Sequence, residues 1–181
     1  MLVVNLPWFA IYVKPRHEKH VAAALAGKGY DVFLPLYWKR AKNSKKFELP
    51  IFPGYVFCRM ELSNTLPVNT TAGVFSIVGG HQPQAISEQE IESIQRMIQS
   101  QIKPVPWPYV SAGQEIYLES GPLKGVRGLV VDASSEKWLV LSIHLLRRSV
   151  AVKLERESLL HEDITLRQSF VPSVRRASGQ A

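Results

Sequence analysis

The sequence predicts an α+β domain followed by a small closed β-barrel, and three observations carry that prediction. In the first hundred or so residues, runs of strand and helix type alternate in the order β-α-β-β-(α)-β-α. That order suits an antiparallel sheet covered by helices. Prolines then stand at alternate positions in "KPVPWPYVSAG", Lys103–Gly113. Such spacing favours extended, polyproline-like chain, a semi-rigid linker. Beyond it, several short β-rich segments crowd into about fifty residues, which suggests closure into a barrel.

Taken in order, "WFAIYV" (Trp8–Val13) is a mostly buried first strand, broken by Lys14–Pro15. "RHEKHVAAALAGKGY" is a helix, because Ala and Leu favour it and Val21 and Leu25 lie one turn apart. Gly27 and Gly29 stop it. "DVFLPLYW" is the second strand, with Pro35 marking an edge or bulge. The basic loop "WKRAKNSKK" follows, then "FPGYVFCRM" (Phe52–Met60) as the third strand, so that loop and flanking strands make a long hairpin. Strand alternation places Val56, Cys58 and Met60 on one face and Tyr55, Phe57 and Arg59 on the other. Both faces begin large and apolar. The first is the candidate core, and the second needs another cover.

"SNTLPVNTTAG" is turn-rich, with room for one short helix, and "VFSIVGG" is a short strand. Ser87 and Glu90 form an S-x-x-E capping box at "SEQE", and Ile91, Ile94, Ile98 and Ile102 follow at helical spacing up to Pro104. The boundaries drawn from this pattern are 1–102 for the first domain, 103–112 for the linker, 113–160 for the barrel and 161–181 for a disordered tail. In the barrel, "QEIYLE", "VRGLVVDA", "KWLVLSIH" and "SVAVKLE" are strands, and Gly128 suggests a bulge or corner.

Composition bounds the function. The 181 residues are 46% apolar and 20% charged, with a net charge of +7. A pI near 9.6 points to a polyanionic partner. No apolar run approaches the roughly 20 residues of a membrane span. "MLVVNLPW" lacks a basic n-region and cleavage site, so no signal peptide is expected. Cys58 is the only cysteine, which fits a reducing cytoplasm. "WKRAKNSKK" holds five basic residues and no acid; it is a solvated hairpin tip or a nucleic-acid contact, Lys39 and Arg40 included.

Catalysis finds no support. C-x-x-C, H-E-x-x-H and G-x-G-x-x-G are absent, and "GPLKGVRG" lacks the ending of a phosphate loop. His17 and His20 lie three apart at a helix start, but no third ligand is indicated, so a polar helix face is expected rather than a metal. Neither cofactor nor metal is expected, nor an enzyme.

"WFAIYVKPRHEKHV", "IFPGYVFCRM", "GVFSIVGG" and "QPQAISEQEI" stand in the order of the N-terminal domain of NusG-like transcription elongation factors. "VSAGQEIYLESGPLKGVRGLVVDAS" resembles the KOW motif that opens their C-terminal barrel. The resemblance spans Trp8 to Leu160. It implies a ferredoxin-like NGN domain and an SH3-like KOW barrel in a cytoplasmic, monomeric, non-membrane protein. It implies that the first domain binds RNA polymerase across its main channel and suppresses pausing. The polymerase pocket would comprise Tyr12, Phe52, Pro53, Tyr55 and Phe57, with Asn64 and Thr65 reaching the opposite side of the channel. Lys14, Arg16, His17 and His20 match the region that approaches the non-template DNA strand. The barrel would recruit the termination factor Rho or a small-subunit ribosomal protein.

Leu146 stands roughly where housekeeping members carry a partner-binding phenylalanine, which puts those barrel partners in doubt. "LLRRSVAV" looks more like specialised paralogues of the RfaH, UpxY and LoaP kind, favouring a specialised antiterminator. Some of these relatives store the barrel as a helical hairpin over the pocket; the β-branched residues here predict a barrel. The alternative function is a ribosome-associated KOW protein that binds RNA, in which the two-sided third strand has no role.

Overall fold

The computed structural model describes residues 6–40, 45–100, 102–110, 113–119, 121–133, 136–154 and 164–166. Strand β1 (Trp8–Val13) leads through helix α1 (Glu18–Gly27) to β2 (Asp31–Phe33). A hairpin of β3 (Leu36–Arg40) and β4 (Lys46–Pro50) comes next, then β5 (Tyr55–Arg59), the short helix α2 (Leu66–Asn69), β6 (Val74–Ile77) and α3 (Glu88–Gln99). Strands β2, β5, β1 and β6 form one sheet in that spatial order, with every pairing antiparallel. With the hairpin set aside, the chain is β-α-β-β-α-β, the ferredoxin-like arrangement.

The expected long hairpin is shorter than its sequence suggested. The partner of β3 is β4, not the "FPGYVF" strand. Buried Pro35 separates β2 from β3, its carbonyl accepting from the Ile51 N–H at 2.9 Å. Gly54, at φ +84°, turns the chain into β5. The hairpin tip, residues 41–44, lies outside the described residues.

Two apolar layers hold this unit. Phe9, Ile11 and Val13 of β1 join Val56 and Cys58 of β5, Met60, and Val21 and Leu25 of α1 in one buried cluster. On the opposite sheet face, Trp8, Ala10 and Phe57 join Ile91, Ile94 and Met97 of α3. The buried line of α3 therefore runs through Met97, with Ile98 only partly buried. Ser87 does cap α3 by position, but its side chain makes no capping bond. Glu90 reaches His144 Nδ1 at 2.6 Å instead, so tertiary contact displaces the expected box.

Among the described residues the C-terminal unit is built of β-strands and one 3-10 turn, His144–Leu146, as its branched residues predict. β7 (Val105–Trp107), β8 (Gln114–Leu118), β9 (Arg127–Ala133), β10 (Glu136–Ile143), β11 (Arg148–Leu154) and β12 (Ile164–Leu166) form a six-stranded sheet in the order β12-β8-β9-β10-β11-β7. Leu139 and Leu141 stand opposite Val152 and Val150, and all four are buried in the cluster that also holds Ile116 and Leu118. A Cβ on Gly128 would meet Leu141 Cδ2 at 2.6 Å and the Val140 carbonyl at 2.7 Å. Close approach to β10, with no register shift between β8 and β9, is thus what this glycine serves.

Two segments differ from expectation. The alternate-proline stretch contains an edge strand, β7, paired with β11 rather than a free polyproline spacer. Alternate residues of a strand direct their backbone groups to opposite edges, so Pro104, Pro106 and Pro108 leave Val105 and Trp107 to donate on one side. The outer edge is left without donors, which suits an edge strand. Ile164–Leu166, expected within a disordered tail, pairs with β8. The cluster joining α3 to the sheet continues into this unit, and the Arg127 N–H donates to Ser93 Oγ of α3 at 3.4 Å.

Candidate functional site

The second face of the N-terminal sheet is divided. Its α3-covered end is closed by Arg59, whose guanidinium lies 4.5 Å from the Trp8 ring centroid. Arg59 Nη1 donates to the Leu6 carbonyl at 2.7 Å, Nε stands 3.2 Å from Asp31, and Nη2 pairs with Glu88. Trp8 Nε1 donates to the same Glu88 carboxylate at 3.3 Å. This network fastens the start of α3 over β1 and β5.

At the other end no helix among the described residues covers the sheet. Tyr12 pairs across the strands with Tyr55, their ring centroids 5.6 Å apart. Phe75 of β6 stacks on Tyr12 at 5.2 Å. Tyr12 is 42% exposed and Phe75 54%. Exposed aromatic clusters of this kind mark partner sites on otherwise well-packed monomers.

The Pro53–Gly54–Tyr55 turn sets this end. A left-handed φ favours glycine at Gly54, and a Cβ there would stand 3.5 Å from the Tyr12 ring. The Val13 N–H donates to the Gly54 carbonyl at 2.9 Å, and the Gly54 N–H donates to Glu18 Oε1 at 2.9 Å. Glu18 is buried in the first turn of α1, where a carboxylate also suits the helix dipole. A cavity of about 990 Å³ opens beside the rings, with Tyr12, Pro53 and Tyr55 on one wall and Trp107 and Arg148 on another. Arg16, at φ 65°, and the 2.7 Å Lys19–Glu48 ion pair form its polar rim.

Of the expected pocket residues, Tyr12, Phe52, Pro53 and Tyr55 converge here. Phe57 does not. It is fully buried, 6.1 Å from Phe33 and 5.7 Å from Phe52 between ring centroids. Phe52 is 1% exposed, so it backs the cavity rather than presenting a ring. The expectation that Phe57 awaits an outside partner is corrected: Ala10 stands opposite it on β1, and the small side chain leaves room for α3 to close over both.

Asn64 is exposed in a 3-10 turn, Leu62–Asn64, and Thr65 is half-buried before α2; neither lines the cavity. Lys14, Arg16, His17 and His20 are all exposed around the start of α1. The histidine rings are 6.5 Å apart, and His17 Nδ1 lies 3.1 Å from the Pro15 carbonyl. Among the described residues, no group of three or more His, Cys, Asp or Glu is placed to hold a metal. Lys39 and Arg40 point to opposite faces of the hairpin, as neighbours on a strand must. Leu146 is half-buried in the turn before β11, packed on the core.

Sequence reasoning missed Phe75, Trp107 and Arg148. Phe75 carried a signal, an aromatic in the short strand-like run "GVFSI", but its stacking on Tyr12 depends on the β1–β6 pairing, which shifts register at Tyr12/Val13.

Comparison with known proteins identifies relatives of this chain. A family model described as transcription termination factor nusG matches residues 6–95. The transcription termination/antitermination protein NusG of Buchnera aphidicola subsp. Acyrthosiphon pisum is 30% identical over 122 residues, covering 64% of this chain and 67% of that protein. This chain belongs to the NusG family. The NusG protein of Pseudomonas aeruginosa is 27% identical over 166 residues, 82% of this chain and 94% of that one. A solved structure described as domain interaction in Thermotoga maritima NusG is 21% identical, covers 82% of this chain and 93% of its own, and has a TM-score of 0.48. The NusG family match spans Tyr12, the Pro53–Tyr55 turn and α3 up to Gln95.

Proposed function

We propose that this NusG-type transcription termination/antitermination factor binds RNA polymerase through the open aromatic end of its N-terminal sheet, suppressing pausing and termination. The observation that carries the reading is the Tyr12–Tyr55–Phe75 cluster, with Tyr12 and Phe75 exposed beside a cavity on a face that α3 otherwise closes. Tyr and Phe are rigid and bury much area at small entropic cost. An amphipathic helix of the polymerase clamp suits such a site by its i, i+3 and i+4 side chains.

In this reading the first domain is 1–102, Asn64 and Thr65 face the far side of the polymerase channel, and the exposed Lys14, Arg16, His17 and His20 approach the non-template strand. Lys39 and Arg40 add phosphate contact, and such contacts weaken with salt. The barrel, 113–160 with Leu146, recruits Rho or a small-subunit ribosomal protein. The chain acts in the cytoplasm as a monomer without catalysing a reaction; among the described residues, no helix is long and apolar enough to cross a membrane.

The test is capture of the full chain by core RNA polymerase. Tyr12→Ala with Tyr55→Ala should abolish capture while the protein still melts cooperatively, since Tyr12 is exposed and Tyr55 only partly buried. Wild-type capture by this double variant would sink the assignment. Phe57→Ala is unsuited to the purpose, because emptying a buried site destabilises the domain whatever binds it.

A further inference from the structure

The β3–β4 hairpin carries a second feature, next to the aromatic cavity and sharing Tyr37 and Glu48 with it. Alternate side chains share a strand face, so Leu36, Trp38 and Arg40 stand together. Pairing sets Trp38 opposite Glu48 and Arg40 opposite Lys46. These side chains line a groove of about 740 Å³ that extends to the end of α3 and Lys103. Trp38 is 62% exposed, a large flat ring held mostly in water.

The charges around that ring are unbalanced. Like charges directly opposite on paired strands repel. Among the described residues, no carboxylate lies within ion-pair distance of Arg40, Lys46 or Lys103. Glu48 is engaged by Lys19 at 2.7 Å. An exposed indole ringed by cations without partners matches the two needs of an unpaired nucleic-acid strand. A base stacks on the ring whatever its sequence, and basic side chains follow the phosphates. A second copy of this chain, at net charge +7, would be repelled.

We infer that this groove binds single-stranded DNA, with a base stacked on Trp38 and phosphates held by Arg40, Lys46 and Lys103. The choice of DNA rests on the proposed approach to the non-template strand; the groove adjoins the aromatic cavity at Tyr37 and Glu48, but Trp38, Arg40, Lys46 and Lys103 line only the groove. It adds a stacking contact to what would otherwise be charge alone, and so confers preference for unpaired over paired DNA.

The experiment is fluorescence anisotropy of the full chain with a short labelled oligothymidylate, without polymerase, at several salt concentrations. Trp38→Ala should weaken binding about five-fold or more, the lower end of one stacked base, and Trp38→Phe should recover most of it. Duplex DNA of equal length should be bound equally by wild type and Trp38→Ala. Arg40→Ala with Lys46→Ala should reduce the salt slope by about 1.4, two phosphate contacts on a single strand. Unchanged affinity in Trp38→Ala, an equal loss on duplex, or tighter binding of oligouridylate than of oligothymidylate would each overturn the inference. The exposure of Trp38 keeps its variants folded, which a melting curve verifies. Tyr12→Ala with Tyr55→Ala should leave oligothymidylate affinity unchanged while polymerase capture fails, so the two readings fail separately.

Discussion

The two ends of one sheet face differ by what lies above them. Where Trp8, Ala10 and Phe57 meet α3, large rings are buried in the chain's own core. At the next pair on that face, Tyr12 and Tyr55 occupy equivalent strand positions, yet Tyr12 is exposed and Tyr55 only partly buried. Residue type does not separate them, since each end has aromatic side chains on paired strands. The reach of α3 does. A two-sided apolar strand is thus half core and half surface, and the boundary falls between Phe57 and Tyr55.

That boundary can be broken experimentally. Phe57→Ala should destabilise the protein by about 3–5 kcal/mol, the usual penalty for emptying a buried aromatic site. Denaturant unfolding measures it, and wild-type stability would place Phe57 on the open side. Removing Arg59 should loosen the closed end by roughly 1–3 kcal/mol, because it strips hydrogen bonds from a mostly buried cation; the partners Asp31 and Glu88 are partly exposed, which limits the effect. Tyr12→Ala alone should change stability by less than about 1 kcal/mol, as surface substitutions do, in contrast to Phe57→Ala.

The smallest effect sits on the opposite face. Burial pushes the Cys58 thiol up to about 12 from its ordinary 9.0, and the Asp31 charge adds to this. The folded state therefore holds the thiol proton after the unfolded chain has lost it. Stability from this group is complete below pH 9.0 and declines as pH rises toward about 12. Cys58→Ala should flatten that alkaline decline, and native Cys58 should resist alkylation at pH 8, where the unfolded chain reacts.

Legibility followed locality. The α1 stop at Gly27–Gly29 and the core face Val56, Cys58, Met60 depend on spacing of 2 or 3.6 residues, and both are present as expected. The α3 cap failed because Glu90 found His144, 54 residues away. Phe75 and Trp107 were missed because a stacking partner or cavity wall is set by strand register, not by neighbours in sequence. The prolines of Lys103–Gly113 looked like a spacer since their missing donors forbid a central strand; an edge strand needs donors on one side only.

By itself the sequence determined the β-α-β-β-(α)-β-α order, the apolar layer under α1 and the β character of the C-terminal unit, because backbone sterics and side-chain periodicity act over a few residues. Tertiary structure alone decided which half of the second face α3 closes, that Trp107 and Arg148 wall the aromatic cavity, and that Trp38 shares a groove with Arg40, Lys46 and Lys103. Those depend on where distant segments come to rest, and burial is a property of the neighbours a residue acquires rather than of the residue.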